Sequence, residues 1–212
     1  YYDGINNAGN YHDYQSSIWK DLSGNNNDAQ LKNFSFNSIS GWNTNSLAFD
    51  GNDDGVYLSN MLKDLFKSDF TFEMYLKCSE SQRDILLGNY INSYSISFEQ
   101  YYNNFRLWWN DGKIDTYVNN VFDTNNSHIA ITLDKENQTL KVYKNGNLIG
   151  SLNNSLLKSY NYNFIDAYIG RDYRTGSTAF KGVMYSIRAY DKCLTQEEIT
   201  HNYNEDVRRF NS

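Results

Sequence analysis

The sequence predicts an all-β protein whose antiparallel strands stack as a sandwich or barrel, and three observations carry that prediction. Short runs alternate apolar and polar residues between clusters of Asn, Gly, Asp and Ser. About a dozen such runs recur at roughly 8–12-residue spacing with no helices alternating between them, the pattern of an antiparallel sandwich. Two of them flank Asn145-Gly146, the dipeptide that most strongly signals a two-residue hairpin, because both central positions of that turn need positive φ.

The elements follow in chain order. Asn60 to Lys67 places Met61, Leu62, Leu65 and Phe66 at helical spacing and predicts a short helix. Phe70 to Lys77 sends Phe70, Phe72, Met74 and Leu76 to one face and Thr71, Glu73, Tyr75 and Lys77 to the other. Tyr94 to Phe98 and Phe105 to Trp109 flank Tyr101-Tyr102-Asn103-Asn104 as a second hairpin. Ile129 to Leu133 and Leu140 to Tyr143 are strands separated by a turn at Asp134 to Asn137, and Leu148-Ile149 returns after Asn145-Gly146. Ala167 to Gly170 and Val183 to Tyr190 complete the strands. One helix is clearly marked: Thr195 as N-cap with Glu198 three residues on forms a capping box, and Ile199, Tyr203 and Val207 then recur on one face. Asn-rich stretches at 23–27 and 119–126 are loops. No repeat or linker interrupts the chain, so residues 1–212 are expected to form one domain.

Composition narrows the function. The 212 residues and 24.7 kDa suit one sandwich. Nineteen Lys and Arg against 25 Asp and Glu give a formal charge of −6, which argues against a surface built to neutralise nucleic-acid phosphates. No apolar run approaches the ~20 residues of a membrane span, and the polar residues after Tyr1 are not expected to act as a signal or transit peptide. With 31 Asn, 19 Tyr, 12 Phe, 4 Trp and no Pro, the chain has enough aromatic surface to offset chain entropy and fold. Cys78 and Cys193 end separate strands that nothing forces together, so both are expected as free thiols. A bridge between them would close a loop of more than a hundred residues. No Cys-x-x-Cys pair supports zinc or redox chemistry.

Six ordered segments resemble the bacterial laminin-G-like domains of the concanavalin A-type lectin/glucanase fold. They are Tyr2 to Asn7 followed by Trp19 to Asp28; Leu47 to Val56, similar to F-D-G-x-D-D-x-V; Phe70 to Lys77, with Tyr75 where the family usually has Trp; His128 to Leu133; Leu140 to Gly146; and Gly182 to Ile199, with Arg188, Tyr190 and Leu194 in register. The resemblance implies a jelly-roll sandwich. It leaves the function open among lectins, hydrolases, adhesive modules and interaction domains. The opening Tyr-Asp-Gly-Ile-Asn-Asn and the closing Glu-Glu-Ile-x-His-Asn-Tyr resemble modules attached to pilin-like and other surface proteins of low-GC bacteria.

The residue types bear on three chemistries. Hydrolysis on this fold calls for two carboxylates facing one cleft. The Glu-x-Asp-x-x-Glu strand that the resemblance would supply is absent, Glu73 and Glu99 stand apart, and His12, His128 and His201 are scattered. Calcium takes six to eight hard oxygen ligands. The oxygen-rich turns at Asp21–Asp28 and Asp50–Asp54 are expected to converge on one structural ion, with Asp21, Asp28 and Asp54 as ligands, although Asp and Asn in such turns also bond their own backbone. Sugar recognition combines aromatic platforms with amides, carboxylates and arginines. Alternation sends Phe105, Leu107 and Trp109 to the core and Arg106 with Trp108 outward, beside Tyr101 and Tyr102 on the hairpin, with Arg171 and Tyr173 as a neighbouring loop. The sequence therefore predicts a non-catalytic extracellular or cell-surface binding and adhesion module whose partner is a glycan or a surface protein. The alternatives are a structural head of a pilin-like assembly contacting neighbouring subunits and, third, a glycan-active hydrolase.

Overall fold

The computed structural model describes residues 1–59, 67–80, 83–89, 96–109, 112–159, 166–172 and 178–211. Among them, strands form two eight-stranded sheets whose named pairings are all antiparallel. The first sheet holds β1 (Tyr2–Asp3), β4 (Gly41–Trp42), β5 (Leu47–Asp50), β7 (Phe70–Cys78), β12 (Ser127–Asp134), β13 (Thr139–Lys144), β14 (Asn147–Asn153) and β16 (Lys181–Tyr190). Its order is β14-β13-β12-β7-β16-β5-β4, with β1 added alongside β16. The second sheet holds β2 (Ile18–Trp19), β3 (Ala29–Lys32), β6 (Gly55–Ser59), β8 (Arg83–Asn89), β9 (Ile96–Tyr101), β10 (Asn104–Trp109), β11 (Ile114–Val118) and β15 (Asp166–Ile169). Its order is β11-β10-β9-β8-β15-β6-β3-β2. Two helices, α1 (Leu156–Ser159) and α2 (Gln196–Phe210), complete the described elements.

The predicted jelly-roll sandwich is thus the architecture observed. Its core lies between the sheets: Phe98 of β9 packs 6.4 Å from Phe70 and 6.2 Å from Phe72 of β7, centroid to centroid. The β13–β14 hairpin turns at Asn145 and Gly146 with φ of 51° and 79°, the positive values that the sequence pair predicts. At the outer margin the two sheets meet, since a Cβ on Gly150 of β14 would lie 2.8 Å from Val118 Cγ1 on β11. The expected helix at Asn60 to Lys67 falls almost wholly outside the described residues.

Helix α2 starts as predicted. The Thr195 side chain accepts from Glu198 N, and Glu198 Oε2 accepts from Thr195 N. Its buried residues are Ile199, Asp206 and Phe210, so the docking face is rotated from the expected Ile199–Tyr203–Val207 line. The reason lies on the sheet beneath. β7 alternates in the predicted phase, but Thr71, Glu73 and Tyr75 on its second face are buried rather than solvated. Helix α2 covers that face, and Tyr75, Tyr185 and Phe210 stack with centroid distances of 5.3 to 5.9 Å. Both cysteines are free, Cys78 buried and Cys193 half-buried.

Candidate functional site

β10 has the alternation that the sequence predicts: Phe105, Leu107 and Trp109 are fully buried, while Asn104, Arg106 and Trp108 are half-buried on the opposite face. Register assembles their neighbours, because residues opposite one another on paired strands point to the same side. Arg106 lies opposite Glu99 on β9 and Tyr117 on β11, Trp108 opposite Ser97 and Asp115, and Asn104 opposite Tyr101. Arg83 of β8 pairs with Tyr101. One outward face of four strands therefore collects two arginines, two carboxylates and three aromatic rings.

The charged groups form a continuous network. Arg83 Nε and Nη2 donate to Glu99 at 2.8 Å each, and Ser97 Oγ donates at 2.7 Å. Arg106 Nη1 reaches Glu99 at 3.0 Å, while its Nε and Nη2 fork grips Asp115 at 2.7 and 2.8 Å. Burial pushes the Glu99 carboxyl upward, but the hydrogen bonds from Arg83 and Ser97 and both guanidinium charges outweigh it and hold it below the ordinary value. The hydrogen bond from Arg106 lowers Asp115 and, reciprocally, raises Arg106. The Arg106 guanidinium carbon sits 5.8 and 5.7 Å from the ring centroids of Tyr101 and Tyr117, within cation–π range. Tyr102 occupies the hairpin turn with φ 54°, is 52% exposed, and meets Tyr101 edge-on at 5.1 Å. A Cβ on Gly112 would lie 3.0 Å from Trp108 Nε1, so the β10–β11 turn sits against the indole edge.

Of the predicted ligand-contacting residues, Tyr101, Tyr102, Arg106 and Trp108 come together. Arg171 lies in the neighbouring loop. Its backbone lies over β8, where a Cβ on Gly88 would meet Asp172 Cβ at 2.9 Å and the Arg171 carbonyl at 3.1 Å. The guanidinium instead donates to the carbonyls of Asp53 and Asp172 at 2.7 and 3.0 Å and lies over Tyr168, so it ties loops together at the β6–β15 side. Tyr173 lies outside the described residues. The alternation along β10 does not reach Arg83, Glu99, Asp115 and Tyr117, which join the site from other strands. The outward alternation of Asp115 and Tyr117 along β11 is the signal that could have found two of them.

The calcium arrangement is corrected by the register. Lys32 pairs with Gly55 and Gln30 with Tyr57, which puts Asp28 and Asp54 beyond opposite ends of that pairing, ~16 Å apart at about 3.3 Å per residue. The two turns cannot share an ion. Their carboxylates serve the turns themselves. Asp21 accepts from Ser23 N, Ser23 Oγ and Asn27 N at 2.8 to 3.0 Å. Burial pushes its carboxyl up, but these bonds bring it down to about 2. Asp28 takes Lys20 Nζ at 2.5 Å and Asp21 N at 3.0 Å. Asp54 is buried, accepts from Ser40 Oγ and Asp50 N at 2.9 Å each, and is raised to about 6 by that burial. Among the described residues the acidic groups that do converge are Asp50, Asp53 and Asp54, with ligand atoms within 4.8 Å of one another. No described helix is long and apolar enough to cross a membrane.

A laminin-G-type profile described as the concanavalin A-like lectin/glucanases superfamily matches residues 50–200. No curated protein matches the sequence. Solved structures match in fold. The receptor binding domain of botulinum neurotoxin C/D mosaic serotype has a TM-score of 0.68 and 15% identity, over 89% of this chain and 48% of that one. The Ruminococcus gnavus IT-sialidase CBM40 bound to α2,3-sialyllactose has a TM-score of 0.55 and 19% identity, over 65% and 84%. A Trypanosoma rangeli sialidase in complex with sialic acid has a TM-score of 0.67 and 15% identity, over 89% and 31%. This chain spans about half the length of the toxin domain, and at these identities the likeness is one of fold.

Proposed function

Because the chain belongs to the concanavalin A-like lectin/glucanases superfamily, we propose that residues 1–212 act as one non-catalytic glycan-binding module, at a cell surface or outside the cell. The ligand sits on the outward face of β8, β9, β10 and β11. The observation that carries this reading is Arg106, held by two carboxylates and flanked by the rings of Tyr101 and Tyr117, with Trp108 on the same face. Sugars are recognised by such combinations: rings stack on apolar sugar faces while fixed polar groups bond hydroxyls. The CBM40 bound to sialyllactose and the toxin receptor binding domain are both named for binding, which supports recognition over turnover.

The electrostatics argue against hydrolysis here. A glycosidase needs one carboxyl that stays protonated near neutral pH to serve as the acid. On this face both Glu99 and Asp115 are held below their ordinary values by arginines. Among the described carboxyls, the raised ones are Glu73, buried under α2, and Asp54, buried in a turn. A glycan array probed with wild type and Trp108→Ala tests the reading, and a reducing-sugar assay on every hit tests the absence of turnover. Binding that the variant retains in full places the ligand elsewhere; sugar release makes the protein an enzyme.

A further inference from the structure

The charge balance of this face points to the chemical class of its ligand. We propose that the glycan bound beside Arg106 is neutral, not sialylated, uronic or sulfated; the proposal rests on the glycan-binding reading above and sharpens it. A sugar carboxylate or sulfate is gripped best by a guanidinium that can offer both prongs of its fork. Here both forks are already engaged. The Nε and Nη2 pair of Arg106 holds Asp115 at 2.7 and 2.8 Å, its Nη1 holds Glu99 at 3.0 Å, and the Nε and Nη2 pair of Arg83 holds Glu99 at 2.8 Å. The two arginines are therefore matched by two carboxylates. Asp172, buried beside β8, adds a further acidic group whose charge acts on Arg83.

An acidic ligand would have to displace one of those carboxylates. Glu99 is completely buried, and stripping its arginines would leave an uncompensated charge out of water, the costliest outcome for a buried pair. Asp115 is the exposed partner, its side chain 39% accessible, and it would repel an incoming anion at close range. The same Asp115 suits a hydroxyl. Each of its oxygens accepts one bond from Arg106, and a carboxylate oxygen has room for a second. Tyr117, 40% exposed, and Trp108 then offer rings for an uncharged sugar face. The network is also rigid, since every charged group on it has an ionised partner, so it presents acceptors in fixed positions.

The test is an array of matched pairs: neutral galactose- and glucose-containing oligosaccharides, and the same cores carrying α2,3- or α2,6-linked sialic acid, glucuronic acid or sulfate, read at about 50 and 500 mM NaCl. Neutral members are expected to bind at least about tenfold more tightly than their acidic counterparts, with little change between the two salts. Asp115→Asn, which opens the Arg106 fork, is expected to shrink or reverse that gap while circular dichroism stays that of wild type. Acidic members binding as tightly as neutral ones, with affinity that falls at high salt, would overturn the proposal and leave the glycan reading standing. Binding to no member of either set, by protein shown to be folded, would sink the glycan reading and this proposal with it. The wild-type comparison alone decides the matter if Asp115→Asn fails to fold.

Discussion

His128 Nε2 lies 3.7 Å from Glu73 Oε1, and both side chains are completely buried beneath helix α2. Arg188, Asp206, Asn202 and Tyr190 close the cluster: Arg188 grips Asp206 through two nitrogens, and Asn202 donates to Glu73 Oε2 and to the Tyr190 hydroxyl. Burial raises Glu73 to about 8 against the Arg188 charge, and burial lowers His128 to about 3. Near neutral pH the pair is therefore an acid and an imidazole that are both mostly uncharged.

Stability should depend on pH through Glu73. Its folded value lies above its ordinary 4.5, so its contribution is complete below that value and is lost as pH rises through about 8. His128 works in the opposite direction: its folded value lies below 6.5, so its contribution is complete above 6.5 and is lost as pH falls toward 3. Glu73→Gln keeps an acceptor for Asn202 and removes the ionisation. Urea midpoints should coincide for variant and wild type at about pH 4 and favour the variant at about pH 9. A wild type that gains on the variant as pH rises would contradict the assignment.

The Arg188–Asp206 pair predicts an asymmetry. Its contacts are 2.6 and 2.7 Å, with side chains 12% and 0% exposed. Asp206→Ala leaves the arginine buried without its partner, at a cost of about 3–5 kcal/mol. Because Asp206 is on α2 and Arg188 on β16, the same change should release the helix, seen as faster hydrogen exchange over Gln196–Phe210. An exchange pattern unchanged outside the mutated turn would show that the remaining contacts, the Asn202–Glu73 bond and the aromatic stack of Tyr75, Tyr185 and Phe210 among them, hold α2 without the ion pair.

Thiol reactivity should separate the two cysteines. Burial raises both thiols, Cys78 the more strongly because it is the more deeply enclosed. Alkylation of native protein is expected to reach Cys193 slowly and Cys78 only after denaturant is added, since the thiolate is the reactive form. Intact mass under non-reducing denaturing conditions should show two added labels. A chain that takes none would contain a disulfide.

What could be read from the sequence was local, and what could not was brought together by distant strands. The β7 alternation, the Asn145-Gly146 turn and the Thr195–Glu198 capping box each depend on neighbours a few residues away, and all three appear in the structure. That alternation assigned Thr71, Glu73 and Tyr75 to a polar face without saying what would cover it. The cover is a helix about 120 residues downstream, which reaches the face only through the sheet order. The same limit applies to the site. Arg106 and Trp108 were legible from the two-residue period of β10, whereas Glu99, Asp115 and Arg83 reach Arg106 through cross-strand register. The expectation that the Asp21–Asp28 and Asp50–Asp54 turns share one ion failed for the related reason that sequence proximity to a glycine turn says nothing about which end of a strand pair the turn occupies.

The final prediction separates ring from hydroxyl at the binding face. Tyr117 approaches Arg106 through its ring, at 5.7 Å from the guanidinium carbon, and its outward exposure leaves the ring available to a ligand. Tyr117→Phe keeps that surface and should bind as wild type does. Tyr117→Ala removes a stacking ring worth on the order of 1 kcal/mol beyond area burial, so affinity should fall severalfold. Trp108→Ala should weaken binding further, because the larger ring lies in the same outward row as Arg106, and it should cost some stability because the indole is half-buried against the Gly112 turn. Titration calorimetry on the best array hit measures affinity, and thermal melts measure the fold. If Tyr117→Phe loses as much affinity as Tyr117→Ala, the hydroxyl is the contact and stacking is not the mode of recognition. If Trp108→Ala unfolds the domain outright, the indole serves the fold and the ligand platform must be sought among Tyr101, Tyr102 and Tyr117.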